Sequence, residues 1–309
     1  MNRSLQATVV FSAAICFSHL HHGHLAGDAV RYAHIAKNIL TSGDWFNLHD
    51  SFAGIDSYWN KPHLLFWLLA THFKAFGYST FVAKLPSALF VFASLILLWK
   101  ITERLFDDTA ALIAVLLFVC NRTFMRDTLD LNVESISIFG ALIILGAALE
   151  LFHHKTPRPG LLGLATGLGI LLLTQSKTPF LLLCGFPVVM LLLLRPKTIP
   201  AIANRSFILG ALPATVLAVV WYASQKGTYV AGAFDNQWIN PIRENDKGFF
   251  KNILAWLGGL IVSWSPLFLF GLWGYAERIR RWKQERSLDV LNNSELLFLF
   301  WALPLVPII

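Results

Sequence analysis

Apolar runs separated by short polar breaks dominate the chain. Runs at 4–20, 84–101, 108–124, 131–152, 160–176, 178–194, 206–224, 250–275 and 294–309 approach the ~20 apolar residues that a membrane span needs. The pattern predicts an all-α, polytopic membrane bundle of about nine spans, organised as one transmembrane domain over residues 1–309. The piece 63–76, HLLFWLLATHFKAF, is shorter and reads as an interfacial or re-entrant helix. Residues 28–40 predict an amphipathic helix, with Ala29, Tyr32, Ala36, Ile39 and Leu40 on one stripe. Gly43 is its expected stop. The stripe is expected to lie in lipid, with the helix in the interface plane.

Charge orients the spans. Lys100/Arg104, Lys155/Arg158, Arg195/Lys197/Arg205 and the Arg278–Arg286 cluster fall on one side if 63–76 does not cross. Short basic loops mark the cytoplasmic side. The N-terminus is then inside, and the loops 21–83, 121–130, 174–178 and 225–250 are outside. The interrupted run near Leu5–Leu20, after Arg3, has no clear cleavage site and reads as an uncleaved first span.

Composition agrees. The chain is 56% hydrophobic and 14% charged, with a mean hydropathy of +0.58, which excludes an ordinary soluble domain. The net charge of +7 resides in short loops and marks topology, not nucleic-acid binding. Cys16, Cys120 and Cys184 are scattered through or beside apolar runs, which points to packing rather than a disulfide framework or a zinc site. The chain stops at WALPLVPII, within an apolar run, and is expected to be either a fragment or the N-terminal part of a longer enzyme.

Polar chemistry gathers in the outer loops. Asp28 opens the amphipathic helix, where a plain N-cap role is the structural alternative. Asp130 lies with Arg126, Asp127 and Glu134 where the chain re-enters lipid, and acids there are costly unless they face protein or water. Lys61 in YWNKPH and Lys177 in LLTQSKTPF suit either a lipid phosphate or snorkelling to headgroups. Two acids and two lysines from distant segments share one side of the membrane. Seven aromatics of the first loop (Trp45, Phe46, Phe52, Tyr58, Trp59, Phe66 and Trp67) are expected to wall the lipid side, mostly as interface anchors. His21, His22 and His24 have no paired acid at ligand spacing, so no metal or other cofactor is assigned.

The sequence D-x-x-RYA…GDW…KP…W…A…FG…KLPSAL resembles the membrane glycosyltransferases of the GT-C class. It is most similar to the dolichyl-phosphate-mannose-protein mannosyltransferase superfamily and its bacterial branch, which includes the lipid A aminoarabinose transferase. Weaker pieces follow in the family's order, including T-x-x-K before Thr178 and N-x-x-R at Asn240–Arg243. The resemblance implies an inverting glycosyltransferase of the bacterial inner membrane, acting on the extracytoplasmic face. Its partners would be a polyprenyl-phosphate-linked sugar donor, a lipid A, glycolipid or protein acceptor, and membrane lipids. It places the essential acid on Asp28 and the second acid on Asp130. The donor phosphate falls to Arg31 and Lys61, with Lys177 and Arg243 as further basic groups. Ala29, Asn60 and Thr178 depart from the family's usual residues. Those departures keep an inactive family member as one rival reading. A lipid or sugar transporter is the other, although transporters gather their key groups near mid-membrane.

Overall fold

The computed structural model describes residues 3–21, 23–51, 54, 58, 61–120, 130–153, 158–176, 179–194, 199–224 and 280. Among them there is no β-strand. The helices are α1 (Arg3–Ser18), α2 (Asp28–Ser42), α3 (Leu64–Phe76), α4 (Thr80–Leu105), α5 (Asp108–Val119), α6 (Glu134–His153), α7 (Pro159–Thr174), α8 (Pro179–Leu194), the single turn α9 (Ile199–Ile202) and α10 (Arg205–Ser224). The expected spans at 250–275 and 294–309 lie outside the described residues.

Local chemistry sets the boundaries. Ser79 caps α4 by accepting the Val82 N–H at 3.2 Å, and Asp107 caps α5 by accepting the Ala110 N–H at 2.7 Å. Gly43 ends α2 with φ 73°, a left-handed conformation that a side chain resists, and its N–H donates to the Ile39 carbonyl. Among the described residues, three helices are long and apolar enough to cross a membrane: Thr80–Leu105, Glu134–Leu151 and Arg205–Ser224. Four others are apolar but shorter, α3 and α5 among them. Of the expected run 108–124, the described part is helical over Asp108–Val119, and 121–124 lie outside the described residues.

Two packing modes build the bundle. α1, α4 and α5 share an apolar core around Cys16, Leu95, Trp99 and Val115. Cys16 and Cys184 are buried as expected, whereas Cys120 is exposed at the end of α5. α7 instead meets α10 along a glycine seam. A Cβ on Gly163 would collide with the Phe207 backbone carbonyl, and one on Gly210 with the Gly160 carbonyl. Small residues let helix backbones approach where lipid gives no hydrophobic drive for association. Leu209, Val216, Val219 and Val220 stand exposed on the outer side of α10.

The first loop folds onto one end of this bundle. Ala29, Tyr32, Ile35, Ala36 and Ile39 of α2 are buried against Leu65, Phe66 and Leu69 of α3 and against Leu131, Val133 and Ile136 at the start of α6. The predicted stripe is real, but it faces protein and not lipid. Tyr58 and Phe66 are likewise buried, so these two are core aromatics and not interface anchors. Phe46, 69% exposed, keeps an outward position. The loop between α2 and α3 is pinned by Trp67 Nε1 donating to the Trp45 carbonyl at 2.6 Å and by His63 Nε2 to the Phe46 carbonyl at 2.8 Å.

Candidate active site

Asp28 is the first residue of α2 and is exposed. It makes no side-chain capping bond; Gly27 occupies the cap position. Its Oδ2 accepts the Tyr32 hydroxyl at 3.3 Å, one turn along the same face. Burial, reinforced by the charges of Asp28 and Glu134, pushes the Tyr32 hydroxyl far up. Tyr32 therefore stays a proton donor beside the carboxylate. Burial raises Tyr58 as well, against the pull of the Arg31 charge beside it.

Arg31, one turn from Asp28, is engaged on two sides. Its Nε donates to Oδ2 of Asp50, which is fully buried. Its guanidinium carbon lies 4.9 Å from the centre of the Tyr58 ring. Burial works against its charge, but the bond to Asp50 and the charges of Asp50 and Asp28 outweigh that and hold it above its ordinary range. Asp50 was not among the residues expected from sequence. In HDS it looks like one more polar loop position, and only its burial reveals its role.

Asp130 is tied to a second residue that sequence reasoning passed over. Lys84 Nζ stands 2.8 Å from Asp130 Oδ1, and the lysine side chain is only 2% exposed against 36% for the aspartate. Ser87, one turn further along α4, donates to the Asn132 carbonyl and accepts the Asn132 N–H at 3.2 Å. α4 thus grips the 130–132 segment at two points. A position for a Cβ on Gly23 would be 4.0 Å from Lys84 Nζ, which puts the lysine beneath the segment leading to Asp28. The signal in the sequence was the lysine itself, at the head of the apolar run 84–101, where a charge must face protein or water.

Lys61 is half-buried in the approach to α3, two residues before the buried His63. Asp28, Arg31, Lys61 and Asp130 all belong to this one end of the bundle. Lys177 and Arg243 lie outside the described residues.

A family profile described as dolichyl-phosphate-mannose-protein mannosyltransferase matches residues 60–222, more than half of the chain. The chain belongs to that mannosyltransferase family. Within the family, it is 28% identical over 300 residues to undecaprenyl phosphate-alpha-4-amino-4-deoxy-L-arabinose arabinosyl transferase 1 of Pseudomonas fluorescens, covering 92% of this chain and 51% of the relative. The corresponding transferase 2 of that species is 39% identical over 87 residues, covering 28% of this chain and 14% of the relative. The chain thus spans about half the length of the long curated match. Crystal structures of ArnT from Cupriavidus metallidurans share the fold. The form bound to undecaprenyl phosphate superposes with a TM-score of 0.75 at 17% identity, covering 98% of this chain and 55% of that one. The apo form gives 0.60 at 16% identity, covering 98% and 58%. The fold of this mannosyltransferase-family chain is therefore a GT-C-type helical membrane bundle.

Proposed function

We propose that the chain carries the site of an inverting glycosyltransferase. It moves a sugar from polyprenyl phosphate to a lipid A, glycolipid or protein acceptor, at the extracytoplasmic face of a bacterial inner membrane. Family membership and the arabinosyl transferase relatives support this donor class. The observation that supports it most is the exposed Asp28 carboxylate on the same end of the bundle as Lys61 and the Lys84–Asp130 pair.

A polyprenyl-phosphate sugar keeps its tail in lipid and its anomeric carbon at headgroup level. In this reading Lys61 meets the phosphate as a compact cation, with Lys177 and Arg243 as further basic groups. Arg31 offers the guanidinium edge that Asp50 does not occupy. Asp28 takes the proton of an acceptor hydroxyl, or orients an acceptor already ionised. The acceptor attacks opposite the phosphate, the carbon–oxygen bond to phosphate breaks, and configuration inverts. Phosphate leaves as a stable anion, so cations and not a general acid supply the stabilisation. Asp130, held by Lys84, supports the acceptor side.

Charge depth weighs against the transporter reading. Between Lys84 and Lys100 in α4, and between Glu134 and Glu150 in α6, there is no charged residue.

The test follows free undecaprenyl phosphate by mass spectrometry, with purified protein in lipid and a panel of undecaprenyl-phosphate sugars. Wild type should consume one donor, and Asp28→Asn should lower that rate by roughly a hundredfold or more. Equal turnover by the two proteins removes Asp28 from the chemistry. Turnover by neither, with a version of full family length equally inert, overturns the transferase reading.

A further inference from the structure

The other end of the bundle holds a second charged centre. A cavity of about 790 Å³ opens between the end of α4, the end of α6 and the start of α7. That volume is within the usual range for ligand sites. Lys100, Arg104, Arg158 and Glu150 surround it. Arg104 Nη2 pairs with Glu150 Oε1 at 2.9 Å. Lys100 and Arg158 have no ion-pair partner among the described residues, so the cavity keeps two uncompensated positive charges. None of these groups belongs to the candidate active site. Roughly 20 helical residues separate Lys84 from Arg104 along α4, a rise of about 30 Å. That is the thickness of the hydrocarbon core. The two charged centres therefore sit one bilayer thickness apart.

The cavity's remaining surface is apolar, with Leu97, Ile101 and Leu161 in its walls. From Arg158 an exposed stripe runs up the outside of α7: Leu161 at 58%, Leu164 at 51% and Leu168 at 42%. A cationic mouth continued by an apolar track matches one chemistry, an anionic head with a hydrocarbon tail. A soluble anion has no use for the track, and a zwitterionic lipid gains little from two surplus cations. We infer that this cavity binds the phosphodiester headgroup of an anionic phospholipid from the leaflet opposite the candidate active site, with an acyl chain along the α7 stripe. Basic pockets between membrane helices suit such headgroups. Glu150 is the restraint in this site, because it occupies Arg104.

The test uses the full chain in detergent and counts retained lipids by native mass spectrometry. Phosphatidylglycerol and phosphatidylcholine of identical chains are the probes, with inorganic phosphate as competitor. Phosphatidylglycerol should be retained about tenfold more tightly than phosphatidylcholine and should resist millimolar phosphate. The Lys100→Gln/Arg158→Gln double variant should lose that preference. Glu150→Gln should strengthen it, because it releases Arg104; partial unfolding cannot imitate a gain. Equal retention of the two lipids overturns the inference. So does wild-type preference in the double variant, or full displacement of phosphatidylglycerol by phosphate. If the double variant does not fold, Glu150→Gln decides alone: tighter retention supports the site, and unchanged or weaker retention refutes it.

Discussion

Lys84 Nζ and Asp130 Oδ1 stand 2.8 Å apart, yet the lysine is buried and the aspartate is one-third exposed. The pair is lopsided, and its two halves should not cost the same to remove. In Asp130→Asn a buried ammonium loses this countercharge. In Lys84→Met the carboxylate keeps access to water. Breaking a buried pair costs about 3–5 kcal/mol, and exposure of Asp130 brings Asp130→Asn to the low end, about 3 kcal/mol. Lys84→Met should cost clearly less. Thermal unfolding of both variants in the same lipid checks the order, and a larger loss for Lys84→Met refutes it.

Asp50 is fully buried and holds Arg31 against Tyr58. Asp50→Asn should release the guanidinium and loosen α2 without disturbing α7 and α10. Hydrogen exchange reads this directly, as faster exchange over 28–42 and unchanged exchange over 205–224. Uniform acceleration over both segments would mean that Asp50 supports the whole bundle instead.

His63 is 3% exposed, and burial lowers its pKa below the ordinary 6.5, despite the Phe46 carbonyl and Asp44 pulling the other way. The unfolded chain therefore binds this proton more readily than the folded one. Stability from His63 is complete above about pH 6.5 and is lost as pH falls through the lowered native value. Melting temperature measured from pH 7.5 to 5 should fall in wild type and fall less in His63→Gln. Parallel curves would remove His63 as the cause.

Gly163 lies under the Phe207 backbone, whereas Gly185 has open space where a Cβ would stand. Gly163→Ala should cost about 1–3 kcal/mol through overpacking. Gly185→Ala should be neutral or slightly stabilising, because alanine favours the helix. Equal melting temperatures for the two variants would contradict the seam.

Much of the helical layout was legible because period and run length report burial directly. The runs at 84–101, 131–152 and 206–224 became α4, α6 and α10, and the 28–40 stripe became α2. What the stripe faced was not legible, since a helix shows the same apolar pattern toward lipid and toward protein. That is why Ala29 and Tyr32 were expected in lipid and are found against α3. Asp28, Arg31, Lys61 and Asp130 could be picked out as polar residues beside apolar runs. Their partners could not. Asp50 and Lys84 act through contacts 19 and 46 residues away, and local pattern carries no record of such pairings.

The glycine seam has a mechanical consequence. With backbone against backbone, α10 cannot slide along α7 without lifting away from it. The two helices therefore move as one stiff lever. At its far tip the Tyr222 hydroxyl holds the Thr174 carbonyl at 3.0 Å, and the Trp221 ring rests 5.3 Å from that of His63. A tilt of this lever toward α3 would bear on His63, at the edge of the loop that carries Lys61.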